Sequence, residues 1–100
     1  MIARNEEPTP IGCFKDGEDR DLDKKLAKDL TTDDCINLGK VNNYRYVGLQ
    51  NGDECWGGNS VGSLGLAKDS ECHKPCSRDI NSFCGAGFRN LVYDTRNLNR

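Results

Sequence analysis

Histidine, tryptophan and methionine each occur once among the 100 residues, and proline only three times. A single imidazole, His73, excludes a histidine-rich metal centre and removes the commonest proton shuttle from any catalytic scheme. No apolar run approaches the roughly 20 residues of a membrane-spanning helix, and the start MIARNEEPTP lacks the apolar stretch of a signal peptide. Neither charge is in large excess. The 14 basic and 16 acidic residues give a net charge of −2 and alternate along the chain, leaving no basic stripe to neutralise phosphates. Nucleic acid is therefore not an expected partner, and neither is direct membrane insertion. Hydrophobic residues make up 35% of the chain, too few to stabilise a large core unaided.

What the chain does have is cysteine. Six in so short a sequence, an even number, indicate covalent staples and an oxidising compartment, with fifteen pairings open at this point. The expected location is extracellular, secreted or cell-surface, in a domain excised or processed from a larger protein. Residues 1–10 read as a linker or tag, 11–95 as one domain and 96–100 as a tail. The predicted fold is α+β: a small antiparallel sheet packed on one main helix, with long stapled loops.

Local signals place the elements. Residues 10–16 read as a short strand that runs into a charged loop over 16–23. A helix starts at Thr31 or Thr32, either of which can cap it, with Asp33 and Asp34 in the first turn, where the helix dipole favours negative charge. Cys35, Leu38 and Gly39 then share one face. Residues 44–50 alternate as a strand, Asn51-Gly52 is a strong hairpin signal, and Glu54-Cys55-Trp56 begins the return. The glycine- and cysteine-bearing stretch 57–87 reads as a stapled loop with a short helical turn around Ser77–Phe83, and 88–95 as a closing strand.

Chemistry is sparse by comparison. Cys72, His73, Cys76 and Cys84 are zinc-type ligands, but no C-x-x-C spacing occurs. Asp19, Asp21 and Asp23 occupy the first acidic positions of an EF-hand template, yet Lys24 stands where glycine is needed and Leu30 where glutamate is. The expectation is a solvated turn, no metal and no cofactor. Asp19-Arg20 reads as structural, since an arginine can fork onto backbone or carboxylate oxygens. No pair of carboxylates or nucleophile with a base stands out, so the chain is not expected to be an enzyme.

A binding surface remains. Tyr44, Tyr46 and Trp56 lie on or beside the predicted hairpin, with Gln50, Asp53, Asn59 and Ser60 nearby. A pyranose offers an apolar C–H face to an aromatic ring and hydroxyls to amides and carboxylates, so this set is a candidate carbohydrate platform.

The runs GCFKDGEDRDL, CINLG, YRYVGLQNGDECWGGNS and ECHKPCSRDINSFCGAGFRNLVY together resemble the WSC domain, a cysteine-rich module named for yeast cell-wall stress sensors. The resemblance covers residues 11–95. It implies an outline like a PAN or apple module and a non-catalytic role in binding cell-wall or extracellular polysaccharide of the β-glucan or xylan type. The alternative is an extracellular protein-interaction or structural assembly module that contacts other subunits. It also implies the pairings Cys13–Cys72, Cys35–Cys55 and Cys76–Cys84. The chain departs from the family at Gly39 and Gly57, where two further cysteines usually stand. The resemblance therefore implies the loss of one helix-to-strand bridge as a unit, at a cost of about 3 kcal/mol unless packing compensates.

Overall fold

The computed structural model describes residues 8–96, so most of the segment read as a linker or tag, and of the tail, lies outside the described residues. Seven strands and one α-helix follow in the order β1 (Gly12–Lys15), β2 (Lys24–Lys28), α1 (Thr32–Val41), β3 (Tyr46–Gln50), β4 (Glu54–Gly58), β5 (Pro75–Cys76), β6 (Asp79–Phe83) and β7 (Arg89–Asp94). Five strands form one antiparallel sheet in the order β1-β7-β3-β4-β2, while β5 and β6 form a separate small hairpin.

β3 lies at the centre of the sheet, and Val47, Gly48, Leu49 and Gln50 are all buried. Strand residues alternate between faces, so both faces of this strand are covered. On one face Val47, Leu49, Cys55 and Tyr93 pack with Cys35 of α1 and with Leu26, Leu30, Ile36 and Leu91. On the other, Trp56 and Val92 pack with Leu22, Phe14, Tyr46 and Val61. Loops rather than a second helix cover this second face.

α1 begins where its capping chemistry allows. The Thr31 hydroxyl accepts the Asp34 N–H at 3.1 Å, Asp33 and Asp34 occupy the first turn and Lys40 the last. The helix ends at Asn42, whose backbone and side-chain N–H groups both donate to the Leu38 carbonyl, and Asn43 then turns left-handed at φ 64°. Cys35 and Gly39 are its buried residues. At the β3–β4 hairpin Asn51 and Gly52 both have positive φ, 57° and 82°, a conformation that asparagine tolerates and glycine adopts without strain.

Two local expectations are corrected. Residues 79–83 form β6, not a helical turn. Cys76–Cys84 closes an eight-residue separation, and Cys84 N–H donates to the Lys74 carbonyl at 2.8 Å, so the chain must double back as a hairpin. The short 3₁₀ turn lies earlier, at Asp69–Cys72. Residues 24–28 add a strand absent from the sequence reading. Its run Lys-Lys-Leu-Ala-Lys has no strand propensity, but β4 offers it an unpaired edge, and lysines suit an edge strand because they discourage further pairing.

The disulfides join Cys13 to Cys72, Cys35 to Cys55 and Cys76 to Cys84. They tie β1 to the 3₁₀ turn, α1 to β4, and the two arms of the small hairpin. Packing fills the positions of the absent fourth bridge. A β-carbon on Gly39 would overlap Val47 Cγ1 and press on Thr95 Cγ2 at 3.0 Å, and one on Gly57 would meet Leu26 Cδ1 at 2.9 Å and Tyr44 Cδ2 at 3.1 Å. Gly39→Ala gains about 1 kcal/mol of helix propensity but overpacks against a rigid core strand at about 1–3 kcal/mol. We expect a net loss of up to about 2 kcal/mol by urea denaturation of the oxidised protein, and a stabilised variant would contradict this packing account.

Candidate functional site

The loop over residues 16–23 folds onto the helix-free face of the sheet and carries a carboxylate into the interior. The Asp16 side chain is fully buried. One of its oxygens accepts the Asp21 N–H, and the other accepts Arg20 Nη1 and Gln50 Nε2, all at 2.9 Å. Arg20 Nη1 also reaches Gln50 Oε1 at 3.1 Å, and Gln50 Nε2 reaches Asn90 Oδ1 at 3.1 Å. The Arg20 guanidinium lies 4.4 Å from the Trp56 ring centroid and 5.1 Å from that of Phe88, within cation–π range of both. Burial alone would raise the Asp16 pKa, but hydrogen bonds from Asp21, Arg20, Gln50 and Gly17 outweigh it and hold the carboxyl below its ordinary range.

This arrangement decides the place of two predicted site residues. Gln50 is 2% exposed and its amide is spent inside the network. Trp56 is 8% exposed, with Arg20 and Lys25 over its ring and its indole N–H donating to Glu54 at 2.9 Å. The sequence reading set both on an open platform; the structure sets both under the 16–23 loop. Tyr46 is half-buried in the same cluster, beneath the Arg45 guanidinium. Asp53 lies at the hairpin tip, 3.8 Å from Lys28 Nζ, and the full length of β4 separates it from Asn59 and Ser60.

Tyr44, Asn59 and Ser60 do come together, at the opposite end of the hairpin. Two open grooves meet there, sharing Tyr44 and Asn59. One, of about 680 Å³, runs from Tyr44 and Ser60 past Asp23 and Lys24 to Arg20. The other, of about 410 Å³, passes Asn43 and Arg45 toward Lys40 and Arg96. The ridge between them is braced on every side. Tyr44 N–H donates to the Gly39 carbonyl at 2.9 Å, Arg45 N–H to Asn59 Oδ1 at 2.9 Å, and the buried Thr95 hydroxyl to the Tyr44 carbonyl at 2.7 Å. Because position 57 is glycine, the Tyr44 ring can lie directly against β4.

Sequence reasoning missed the groove walls Lys24, Asn43, Arg45 and Arg96. They are isolated polar residues on turns and strand ends, and only the fold gathers them. Arg20 did carry a signal, since its aspartate-rich surroundings suit a forked arginine.

A family model for the WSC domain matches residues 10–86. The chain belongs to the WSC domain family. Among curated relatives, a WSC domain-containing protein of Arthroderma benhamiae is 35% identical over 86 residues, covering 82% of this chain and 12% of the relative. Human Kremen protein 1 is 30% identical over 93 residues, covering 88% of this chain and 20% of the relative. The xylosyltransferase oxt of Drosophila melanogaster is 30% identical over 90 residues, covering 85% and 10%. This WSC domain thus spans between 10% and 20% of the length of these relatives. All six cysteines are bridged, so none is a thiolate nucleophile. Among the described residues no group of three or more His, Cys, Asp or Glu side chains is arranged to hold a metal ion.

The lowered Asp16 pKa sets the direction of an acid effect. A carboxyl depressed in the folded state stabilises fully above its unfolded pKa, about 3.9, and that contribution is lost as pH falls through the folded value. Asp16→Asn should cost about 2–3 kcal/mol at neutral pH, because it leaves Arg20 without its anion. The gap to the parent should close as pH falls below about 4, measured as urea midpoints across a pH series. A gap constant down to pH 2 would mean that the charge of Asp16 is not what stabilises the fold.

Proposed function

We propose that this WSC domain is a non-catalytic carbohydrate-binding module of an extracellular or cell-surface protein, taking cell-wall or matrix polysaccharide of the β-glucan or xylan type. The observation that carries this reading is the braced Tyr44–Asn59 ridge, with an open groove on each side. The half-buried Tyr44 ring, lining both grooves, supplies an apolar surface for a sugar C–H face, and Asn59 and Ser60 line the groove with it to meet hydroxyls. Trp56 supports from below: with Arg20 it stiffens the loop that forms one wall. Two open grooves that meet at Tyr44 and Asn59 suit an extended chain rather than a single enclosed sugar, and affinity for a short oligosaccharide is modest, because a shallow polar site must displace water to gain its contacts. The disulfides agree with an oxidising, extracellular setting.

A protein partner is the second reading, favoured by a separate feature. Ile80 is 77% exposed and Phe83 47% exposed on the small β5–β6 hairpin, on a different part of the molecule from the ridge.

Titration of the oxidised domain with β-glucan and xylan oligosaccharides, followed by amide and indole NMR, separates the two. The expected result is saturable shifts at Tyr44, Asn59 and Ser60 with little movement of the Trp56 indole. Tyr44→Ala should weaken binding by about 2- to 10-fold, the range of one aromatic contact. No shift at millimolar ligand, in a protein whose spectrum reports an intact fold, would turn the reading to the protein interface.

A further inference from the structure

The two grooves that meet at Tyr44 differ in charge. The one on the Ser60 side is mixed, with Asp21 and Asp23 facing Arg20 and Lys24. The one on the α1 side holds three cations, Lys40, Arg45 and Arg96, and no carboxylate in its lining. In a chain of net charge −2, this is a local reversal. Arg45 is paired with Asp94 at 3.3 Å, whereas Lys40 and Arg96 form no ion pair among the described residues. The other oxygen of Asp94 accepts the Arg96 backbone N–H at 2.9 Å. At the end of α1 the carbonyls of Leu38, Gly39 and Lys40 already accept hydrogen bonds from Asn42, Tyr44 and Asn43 respectively.

We propose that the groove between Lys40 and Arg96 binds an acidic group, a carboxylate or sulfate, carried on a saccharide that lies across Tyr44. The inference rests on the carbohydrate reading of the ridge and names the class of sugar. Three cations around a groove of about 410 Å³ leave room for one sugar residue with its anion. Arginine and lysine both donate to oxyanions, and arginine can do so with two parallel N–H groups. Asp23, in the other groove, disfavours the same anion there, so an acidic chain has a preferred direction across the ridge. The neighbouring ring and amide, Tyr44 and Asn59, are held by backbone hydrogen bonds, so little of the frame has to be ordered on binding.

The test uses the oxidised domain and three probes: a xylo-oligosaccharide bearing one glucuronic acid, the same oligosaccharide with that carboxyl reduced, and a sulfated heparin tetrasaccharide. At 20 mM salt the uronate or the sulfated probe should bind at least tenfold more tightly than the carboxyl-reduced one, and that preference should shrink at 200 mM salt as screening shortens the reach of the groove charges. The tighter of the two acidic probes identifies the anion. Lys40→Ala combined with Arg96→Ala, both exposed positions, should bring the acidic probe down to the level of the carboxyl-reduced one, while Lys15→Ala on β1 should change neither. Equal affinity for all three probes would overturn the acidic-group proposal and leave the carbohydrate reading standing. Acidic preference that survives the double variant would also overturn it, by placing the anion elsewhere. Absence of binding by every probe would overturn both.

Discussion

A buried carboxylate organises this domain. Asp16 has no contact with solvent through its side chain, and a charge in that position is tolerable only if its oxygens are fully engaged. Asp21 N–H, Arg20 and Gln50 engage them, and each of these contacts constrains a different piece of chain. The bond from Asp21 closes the loop on itself, and Arg20 is drawn down over Trp56. Gln50, with Asn90 behind it, ties the loop to the central strands β3 and β7. Asp16 N–H also donates to the Phe88 carbonyl, which joins the loop to the turn before β7. Asp21 in turn accepts hydrogen bonds from Gly62 and Ser63, so the next loop is held by the first. One ion pair thereby substitutes for the missing second helix over that face of the sheet.

The disulfides act at a different level. They join separate elements through buried cysteines: β1 to the 3₁₀ turn, α1 to β4, and the small hairpin to itself. Such bridges limit the unfolded chain more than they shape the folded one. At the lost fourth bridge, shape matters more. Val47 and Thr95 occupy the space beside Gly39, and Leu26 and Tyr44 the space beside Gly57. With glycine at position 57, the Tyr44 ring lies against β4, where the two grooves meet.

Much of this was legible from the order of residues. Thr31 and the two aspartates mark the start of α1, Asn51-Gly52 marks the hairpin, and alternation marks β3, because each of these signals depends on neighbours a few positions away. β2 was not legible. Its lysine-rich residues acquire strand form only by pairing with β4, far along the chain. The helical turn expected around Ser77–Phe83 failed for a related reason: the Cys76–Cys84 link imposes a hairpin on residues whose local preferences are weak. Among the candidate site residues, the local pattern put Gln50 on one face of a strand and Trp56 on the return strand. It carried no information on what lies over that face.

The division is a physical one. By itself the sequence determined the α+β class, the stapled character of the domain and the presence of a hairpin with aromatics, since composition, spacing and short-range patterns carry these. Only the tertiary structure decided which aromatics meet solvent. Trp56 is closed off by an arginine 36 positions earlier in the chain, while Tyr44, half-buried against a glycine 13 positions later, still lines both grooves. Exposure follows from contacts between distant segments, and such contacts exist only once the chain has folded.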